Sequence, residues 1–188
     1  PPSPIISCLG KMKDVDKAIT MSFKKYNSNI FMIGKRKDEL GGSLYYSLYD
    51  QLGANVPNPD LNEVKNQIYA ITDCIDSRLI ESCHDISDGG IAIALSEMTF
   101  ENNIGCSVCI PGELSTEKLL FSETGGFIIE VEDSNTDSVN KIFDKYNVSL
   151  ELIGETSEDQ KLIINDAINV EVEEMEDLWT NGLRDKIR

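Results

Sequence analysis

The chain has 188 residues, enough for one domain, or one domain and part of another, to bury a hydrophobic core. Its 33 acidic and 17 basic residues give a net charge of −16, which argues against nucleic acid or an anionic membrane surface as a partner. It shows no bilayer-crossing apolar run and no charged-then-apolar leader, and its odd number of cysteines, five, suits a reducing compartment, so we expect a cytoplasmic protein.

The first part of the chain has the composition of strands that no helix covers. Residues 5–9 and 18–23 have strand composition, and the fully apolar run at residues 30–34 is typical of a buried strand. Residues 1–27 have too little structure to fold alone, since a few strands need a covering layer. We therefore interpret residues 1–27 as the end of a preceding domain and residues 28–188 as the next domain.

A pair of glycines follows the buried strand. The run Asp-Glu-Leu-Gly-Gly-Ser at residues 38–43 leads into a helical stretch at residues 44–52. Gly41 and Gly42 would let the backbone approach a ligand, and Ser43 could cap the helix or donate to a phosphate. The same run would also serve as a strand-to-helix turn without a ligand.

Two longer helices are predicted from the spacing of apolar residues. After the Pro-Asn-Pro break at residues 57–59, Asp60 can cap a helix over residues 61–80. A second amphipathic helix follows over residues 91–98, with one apolar face formed by Ile91, Ala94, Leu95 and Met98.

The second glycine pair lies directly before this second helix. Residues 83–90 read Cys-His-Asp-Ile-Ser-Asp-Gly-Gly, and Ser87 or Asp88 can cap the helix. Gly89 and Gly90 permit close backbone approach, and the free N–H groups with the helix dipole favour an anion. Phosphate is the anion that this pattern suggests first.

Carboxylates beside such a turn point to a metal ion. Asp85 and Asp88 would repel a phosphate unless a hard cation bridged them, and magnesium binds through one or two carboxylates plus phosphate oxygens. Alternatively, Asp and Ser are present only because turns and caps favour them. A calcium loop does not fit, because its fifth and twelfth positions would be Gly89 and Ser96.

A strand, a short helix and a polar corner follow. The strand is predicted at residues 105–110, where Cys106 and Cys109 form C-x-x-C but would point to opposite faces, so buried thiols are favoured over a zinc or redox pair. The helix is predicted at residues 115–120. The Ser-Glu-Thr-Gly-Gly corner at residues 122–126 is either a turn or a third loop facing a ligand, and it leads into a strand predicted at residues 127–131.

The last third of the chain completes the prediction. It contains a helix at 137–146, a strand at 149–153, a hairpin of 161–164 with 168–172, and a helix at 175–187 that can dock through Leu178, Trp179 and Leu183. This order indicates the α/β (α+β) class, with a mixed sheet of about five strands flanked by helices and no Rossmann array.

Three of these runs resemble a known family. Residues 38–43, the run His-Asp-Ile-Ser-Asp-Gly-Gly-Ile-Ala-Ile-Ala-Leu-Ser-Glu-Met at 84–98, and Leu-Phe-Ser-Glu at 120–123 resemble the C-terminal part of phosphoribosylformylglycinamidine synthases. That family belongs to the aminoimidazole ribonucleotide (AIR) synthetase-like superfamily of ATP-binding proteins. The start of the chain, at residues 1–6, 14–15 and 18–20, is similar to the last strands of the family's second N-terminal-type domain.

The resemblance implies an architecture and a reaction. It implies truncated strands of an AIR synthetase N-terminal-type domain at residues 1–27 and a C-terminal-type domain at 28–188. Enzymes of the family use ATP and glutamine-derived ammonia to convert formylglycinamide ribonucleotide to formylglycinamidine ribonucleotide in purine synthesis. The implied partners are the N-terminal remainder of the enzyme, a glutaminase subunit and a small ammonia-transfer subunit, and the fragment is expected to be inactive alone.

The resemblance also implies site residues. Asp85 is the expected magnesium ligand, in a pocket for ATP or ADP that is either the catalytic or the structural nucleotide site of the family. Its lining is expected from Gly41, Gly42, Ser43, Ser87, Asp88, Gly89, Gly90, Ser122 and Glu123. No catalytic residue is assigned, because the family's catalytic histidine falls outside the chain, and His84 is interpreted as a turn or core residue.

Two other functions remain open from the sequence. One is another enzyme of the superfamily, such as thiamine-monophosphate kinase, whose turn is similar to residues 85–89, although the runs at 38–43 and 120–123 count against it. The other is a scaffold domain without catalysis, whose turn holds a permanent nucleotide or none.

Overall fold

The computed structural model describes residues 6–186, and the side chains of the last helix as far as Gly182. The strands are β1 (Asn29–Ile33), β2 (Ser82–Asp85), β3 (Gly105–Val108), β4 (Phe127–Val131), β5 (Leu150–Ser157), β6 (Lys161–Ile164) and β7 (Ile168–Glu171). The helices are α1 (Leu44–Ser47), α2 (Leu61–Asp76), α3 (Gly90–Thr99), α4 (Thr116–Phe121), α5 (Thr136–Lys145) and α6 (Val172–Lys186).

The strands form a seven-stranded mixed sheet with helices on both faces, which confirms the predicted fold class. The strand order is β2-β4-β1-β5-β3-β6-β7, antiparallel throughout except for the parallel pair β3 and β6. Between residues 6 and 186, no helix is both long and apolar enough to cross a membrane.

The two faces of the sheet are buried because side chains alternate along β1. Ile30 and Met32 pack in a cluster with residues of α3 and α4. Phe31 and Ile33 pack in a second cluster with residues of α2 and α5. A strand buried on both faces reads as a continuous apolar run, which is why β1 was predictable from composition.

The strand ends that carry the glycine turns meet at one end of the sheet. Ile33, the last residue of β1, pairs with Phe127 at the start of β4 and with Leu150 at the start of β5. Asp85, the last residue of β2, also pairs with Phe127. The turns after β1 and β2 and the corner before β4 are therefore neighbours.

The predicted strands near the start of the chain are wrong. The described part, residues 6–23, contains a 3₁₀ turn at Val15–Lys17 but no strand, and residue 5 lies outside the described residues. Residues 18–23 contact the edge strand β2 but form no ladder with it. Cys83 N–H of β2 donates to the Thr20 carbonyl at 3.2 Å. The segment is instead fixed by Phe23, which is fully buried in the core.

The strand count and several boundaries also differ from the prediction. Residues 6–186 contain seven strands in place of about five, because β2 lies within the stretch predicted as a turn and because β6 and β7 extend the sheet as the predicted hairpin. β5 continues to Ser157, since it pairs with both β1 and β3. Helix α6 begins at Val172, before its predicted start, and it packs on the core through Val172 and Met175. Docking through Leu178 and Trp179 is wrong, because these side chains are largely exposed, and Leu183 lies outside the described side chains.

The two cysteines of C-x-x-C differ in burial. Cys106 in β3 is buried, as predicted, whereas Cys109, just after β3, is exposed, so the predicted burial of this second thiol is wrong. Burial raises the pKa of the Cys106 thiol to about 12, so this thiol stays protonated and behaves as an apolar core group.

A fully buried carboxylate, Glu130 in β4, makes stability depend on pH. It accepts hydrogen bonds from the N–H groups of Lys24 and Lys25 and from the Ser82 hydroxyl, each at 2.9 Å. Burial raises the pKa of the Glu130 carboxyl above its ordinary value of 4.5, and these donors offset the effect only in part.

We expect the stability of the wild-type chain relative to the Glu130→Gln variant to fall as pH rises from about 4 to 7. A folded-state pKa above the unfolded value means that the folded chain binds the proton more tightly. The stability that the Glu130 carboxyl contributes is therefore fully present below its pKa in the unfolded chain, and it is lost as pH rises through its pKa in the folded chain. Urea unfolding of both proteins across this range measures it, and a pH-independent difference would contradict it.

Candidate functional site

Three turns meet at the end of the sheet where β1 and β2 finish. They are residues 34–43 after β1, residues 86–90 after β2, and the corner at residues 122–126 before β4. The N–H group of Ile86 donates to the Gly126 carbonyl at 2.9 Å, which joins the second turn to the corner. The structure thus brings all the sequence-predicted site residues to one end of the sheet.

Helix α3 begins differently from the prediction. Gly89 and Gly90 both have left-handed backbones, with φ of +78° and +70°, and Gly89 is the N-cap without a side-chain hydrogen bond. The predicted capping by Ser87 or Asp88 is therefore wrong. Both side chains precede the two left-handed residues and are exposed, and the turn closes through a bond from Gly90 N–H to the Ser87 carbonyl at 3.0 Å.

In the first glycine turn, the backbone N–H groups donate to carbonyls later in the chain. Gly41 N–H donates to the Asn55 carbonyl and Gly42 N–H to the Leu52 carbonyl, both at 2.7 Å. These bonds fold the chain back after α1, which is why α1 stops at Ser47 rather than continuing to residue 52. The N–H groups of Gly41 and Gly42 are therefore already hydrogen-bonded within the protein and are not available to a ligand.

Ser43 caps α1, as predicted. Its hydroxyl accepts from Tyr46 N–H at 3.3 Å and donates to the Leu40 carbonyl at 2.7 Å. Asp60 likewise caps α2, accepting from Asn62 N–H at 2.8 Å. Because the buried Ser43 hydroxyl is engaged within its own turn, its role there is structural.

Glu123 joins the two glycine turns. One of its carboxylate oxygens, Oε1, accepts from Leu44 N–H at 2.8 Å and from Gly89 N–H at 2.9 Å. Ser122, beside it, is fully buried and donates its hydroxyl to the Lys37 carbonyl at 2.7 Å. The corner is therefore a connection between the turns, a role that the sequence did not indicate.

Arg36 supports this corner and was not singled out from the sequence. Its guanidinium donates to the Thr124 carbonyl at 2.7 Å and to the Gly125 carbonyl at 2.9 Å, and the residue is only 8% exposed. Burial lowers the pKa of Arg36 to about 10, so it remains charged at neutral pH. The available signal was three consecutive basic residues, at 35–37, in an acidic chain.

Asp85 lies at the end of β2 with its carboxylate open to solvent. Its side chain is 61% exposed, and Oδ1 lies 3.2 Å from Nδ1 of His84. The other ring nitrogen of His84, Nε2, lies 2.8 Å from Oε2 of Glu97 in α3. His84 is therefore a strand residue whose side chain is only 12% exposed and links β2 to α3, which is closer to the predicted core residue than to the predicted turn residue.

Open space adjoins the corner. Glu123 and Thr124 line a cavity of ≈ 240 Å³ together with residues after β1 and at the start of α2. A second cavity of ≈ 370 Å³ shares part of this lining, including Gly34 and Gln67. In the described part of the chain, no group of three or more His, Cys, Asp or Glu side chains could hold a metal ion.

Comparison with known proteins agrees with this fold. The family model "AIR synthase related protein, C-terminal domain" matches residues 27–166. The chain is 37% identical over 193 residues to the phosphoribosylformylglycinamidine synthase subunit PurL of Methanothrix thermoacetophila, covering 100% of this chain and 25% of that protein. It is 33% identical over 189 residues to the PurL subunit of Thermococcus sibiricus, covering 96% of this chain and 26% of that protein.

Solved structures show the same fold. PurL of Thermotoga maritima complexed with FGAR matches with a TM-score of 0.73 at 16% identity, covering 85% of this chain and 29% of that one. The resemblance predicted from the sequence is thus confirmed, although the chain spans only about a quarter of the length of the PurL relatives it matches. The chain belongs to the family of AIR synthase related proteins, whose C-terminal domain it carries.

Proposed function

We propose that the chain is the C-terminal part of an ATP-dependent carbon–nitrogen ligase, phosphoribosylformylglycinamidine synthase. In the reaction of the whole enzyme, ATP phosphorylates an amide oxygen of formylglycinamide ribonucleotide, ammonia attacks the activated carbon, and phosphate leaves to give the amidine. The observation that carries the proposal is the match of essentially the whole chain to two PurL subunits. Thermotoga maritima PurL, which has this fold, binds FGAR, ATP and ADP in its solved complexes.

The chemistry of Asp85 and Asp88 fits a magnesium ion. Both carboxylates are exposed at one end of the sheet, and magnesium takes one or two carboxylates and leaves its other positions to phosphate oxygens and water. When bound, the ion would neutralise phosphoryl charge, which is the main requirement of phosphoryl transfer. Asp85 would hold it, with Asp88 as the second carboxylate.

The pocket for the nucleotide would be formed by the three turns. The turn at Gly89 and Gly90 would form one wall, with Ser87 exposed beside it, although Gly90 itself packs against the backbone at the end of α4. The Gly41–Ser43 turn and the corner at residues 122–123 would form the other wall. The cavity of ≈ 240 Å³ next to Glu123 is a separate space, lined by residues after β1 and at the start of α2 and not by Asp85, residues 87–90 or residues 41–43. This pocket serves either the catalytic or the structural nucleotide site of the enzyme.

The rest of the enzyme would complete the active site. Residues 1–27 would close a preceding AIR synthetase N-terminal-type domain, and residues 28–188 would form the C-terminal-type domain. A glutaminase and a small ammonia-transfer subunit would supply ammonia, and a solved structure of PurLQS from Thermotoga maritima contains a chain with this fold. The chain alone would be inactive, and its five free cysteines suit the cytoplasm.

We expect the Asp85→Asn variant to bind Mg·ADP at least about tenfold more weakly than wild type, because it removes the charged ligand of the metal. Calorimetric titration of the chain, and of the complete enzyme that contains it, measures the affinity. In the complete enzyme with its partner subunits, ATP turnover that depends on formylglycinamide ribonucleotide should fall as well.

The matched control is Asp144→Asn, which changes an exposed aspartate in α5 on the other face of the sheet. It should leave both the affinity and the turnover unchanged. Equal behaviour of the two variants would contradict the metal site at Asp85. Absence of such turnover in the intact wild-type enzyme would contradict the proposed function itself.

A further inference from the structure

Glu123 holds two segments that are distant in sequence. Its Oε1 atom accepts from Gly89 N–H, 34 residues away, and from Leu44 N–H, 79 residues away. The donors are the first N–H group of α1 and the N-cap N–H group of α3, which are not used by hydrogen bonds within those helices. A single carboxylate oxygen therefore fixes the relative position of both glycine turns.

The backbone on either side of Glu123 is anchored to the segment after β1. Ser122 donates to the Lys37 carbonyl, and Thr124 donates its hydroxyl to Oε2 of Glu39 at 2.8 Å. Arg36 donates to the carbonyls that follow. The corner cannot shift without breaking several of these bonds, so the Glu123 carboxylate is held in place before any ligand arrives.

We propose that Glu123 is a positioning residue that couples the two glycine turns and, by its charge, makes nucleotide binding depend on a divalent cation. The second part rests on the proposed function. The carboxylate brings negative charge to the start of α3, one residue from Asp88, where the helix dipole would otherwise favour a phosphate. A metal-free nucleotide is repelled there, whereas a magnesium complex carries its own compensating charge.

The coupling is tested by the amide signals of Leu44 and Gly89 in nuclear magnetic resonance spectra of the chain. Glu123→Ala should shift both signals and speed hydrogen exchange at both amides by about tenfold, as expected for the loss of one hydrogen bond to a charged group. Glu123→Gln, which keeps an acceptor oxygen, should restore part of the protection.

The control is Glu113→Gln, an exposed glutamate in the loop after β3, which should move neither signal. If Glu123→Ala alters only one of the two amides, or neither, the coupling is wrong. If the Glu123→Ala variant does not fold, the isosteric Glu123→Gln variant still tests the coupling. We expect it to shift the amide signals of both Leu44 and Gly89.

The charge effect is tested by titration with ADP in the presence and absence of magnesium. In wild type, the dissociation constant for ADP without magnesium should exceed that for ADP with magnesium. Glu123→Gln should reduce this ratio several-fold, since it removes the repulsion of the metal-free nucleotide. A role limited to structure would weaken both forms equally and leave the ratio unchanged, which would overturn this part. If the wild-type chain and the complete enzyme bind neither form, the proposed function and the charge effect both fail, while the amide signals still decide the coupling.

Discussion

Replacing Gly90 with alanine is expected to destabilise the folded chain by about 3–5 kcal/mol. A Cβ atom at this position would lie 2.6 Å from the Leu120 carbonyl oxygen and 2.8 Å from the Cα atom of Phe121. These are backbone atoms at the end of α4, so they can move only if α4 moves away from α3. The left-handed φ of +70° adds a further penalty for any residue with a side chain. Urea unfolding followed by circular dichroism measures the loss.

Gly42→Ala separates the two causes of this loss. Gly42 also has a left-handed φ, of +77°, but a Cβ atom there would meet nothing within 4 Å. The alanine should therefore cost only the backbone strain, about 1 kcal/mol. If both variants lost the same stability, the close contact between α3 and α4 would not be the reason for Gly90.

Elements with strong local signals were predictable. Helix α3 was predicted from apolar spacing, and Ile91, Leu95 and Met98 are fully buried in the core as that spacing requires. Strands β1 and β4 are short apolar runs with both faces covered, and they were found at nearly their observed bounds. In each case, the information lies within ten neighbouring residues.

Elements that depend on distant partners were not predictable. Strand β2, Ser82–Asp85, has a polar composition, and it becomes a strand only because β4, over 40 residues later, provides its ladder. Residues 18–23 are the opposite case, since their composition favours a strand but the described chain gives them no ladder to join. In both segments, the presence or absence of a partner strand decided whether a strand formed.

The site shows the same division between local and distant information. The glycine pairs and the carboxylates beside them were visible as local motifs, and the structure places them together. The role of Glu123 depends on N–H groups that are 34 and 79 residues away, so a sequence motif could not indicate it. The hydrogen bond from Arg36 to the Thr124 carbonyl joins residues 88 positions apart. In the sequence, only the run of basic residues around Arg36 pointed to it, and weakly.

Arg36→Ala is expected to destabilise the chain by about 2–4 kcal/mol and to loosen the corner that carries Glu123. The substitution leaves the buried Thr124 carbonyl without its donor and removes a side chain from a site that is 92% covered. Because the corner then loses its anchor to the segment after β1, the amides of Leu44 and Gly89 should also exchange faster. Urea unfolding and hydrogen exchange measure the two effects.

Two further variants identify what Arg36 contributes. Lys37→Ala changes the exposed neighbour and should alter stability by less than about 0.5 kcal/mol. Arg36→Lys keeps a cation but cannot present two parallel donors to the Thr124 and Gly125 carbonyls, so it should lose most of what alanine loses. Full rescue by lysine would mean that charge alone is needed at this position. The forked geometry of the guanidinium would then have no part in holding the corner.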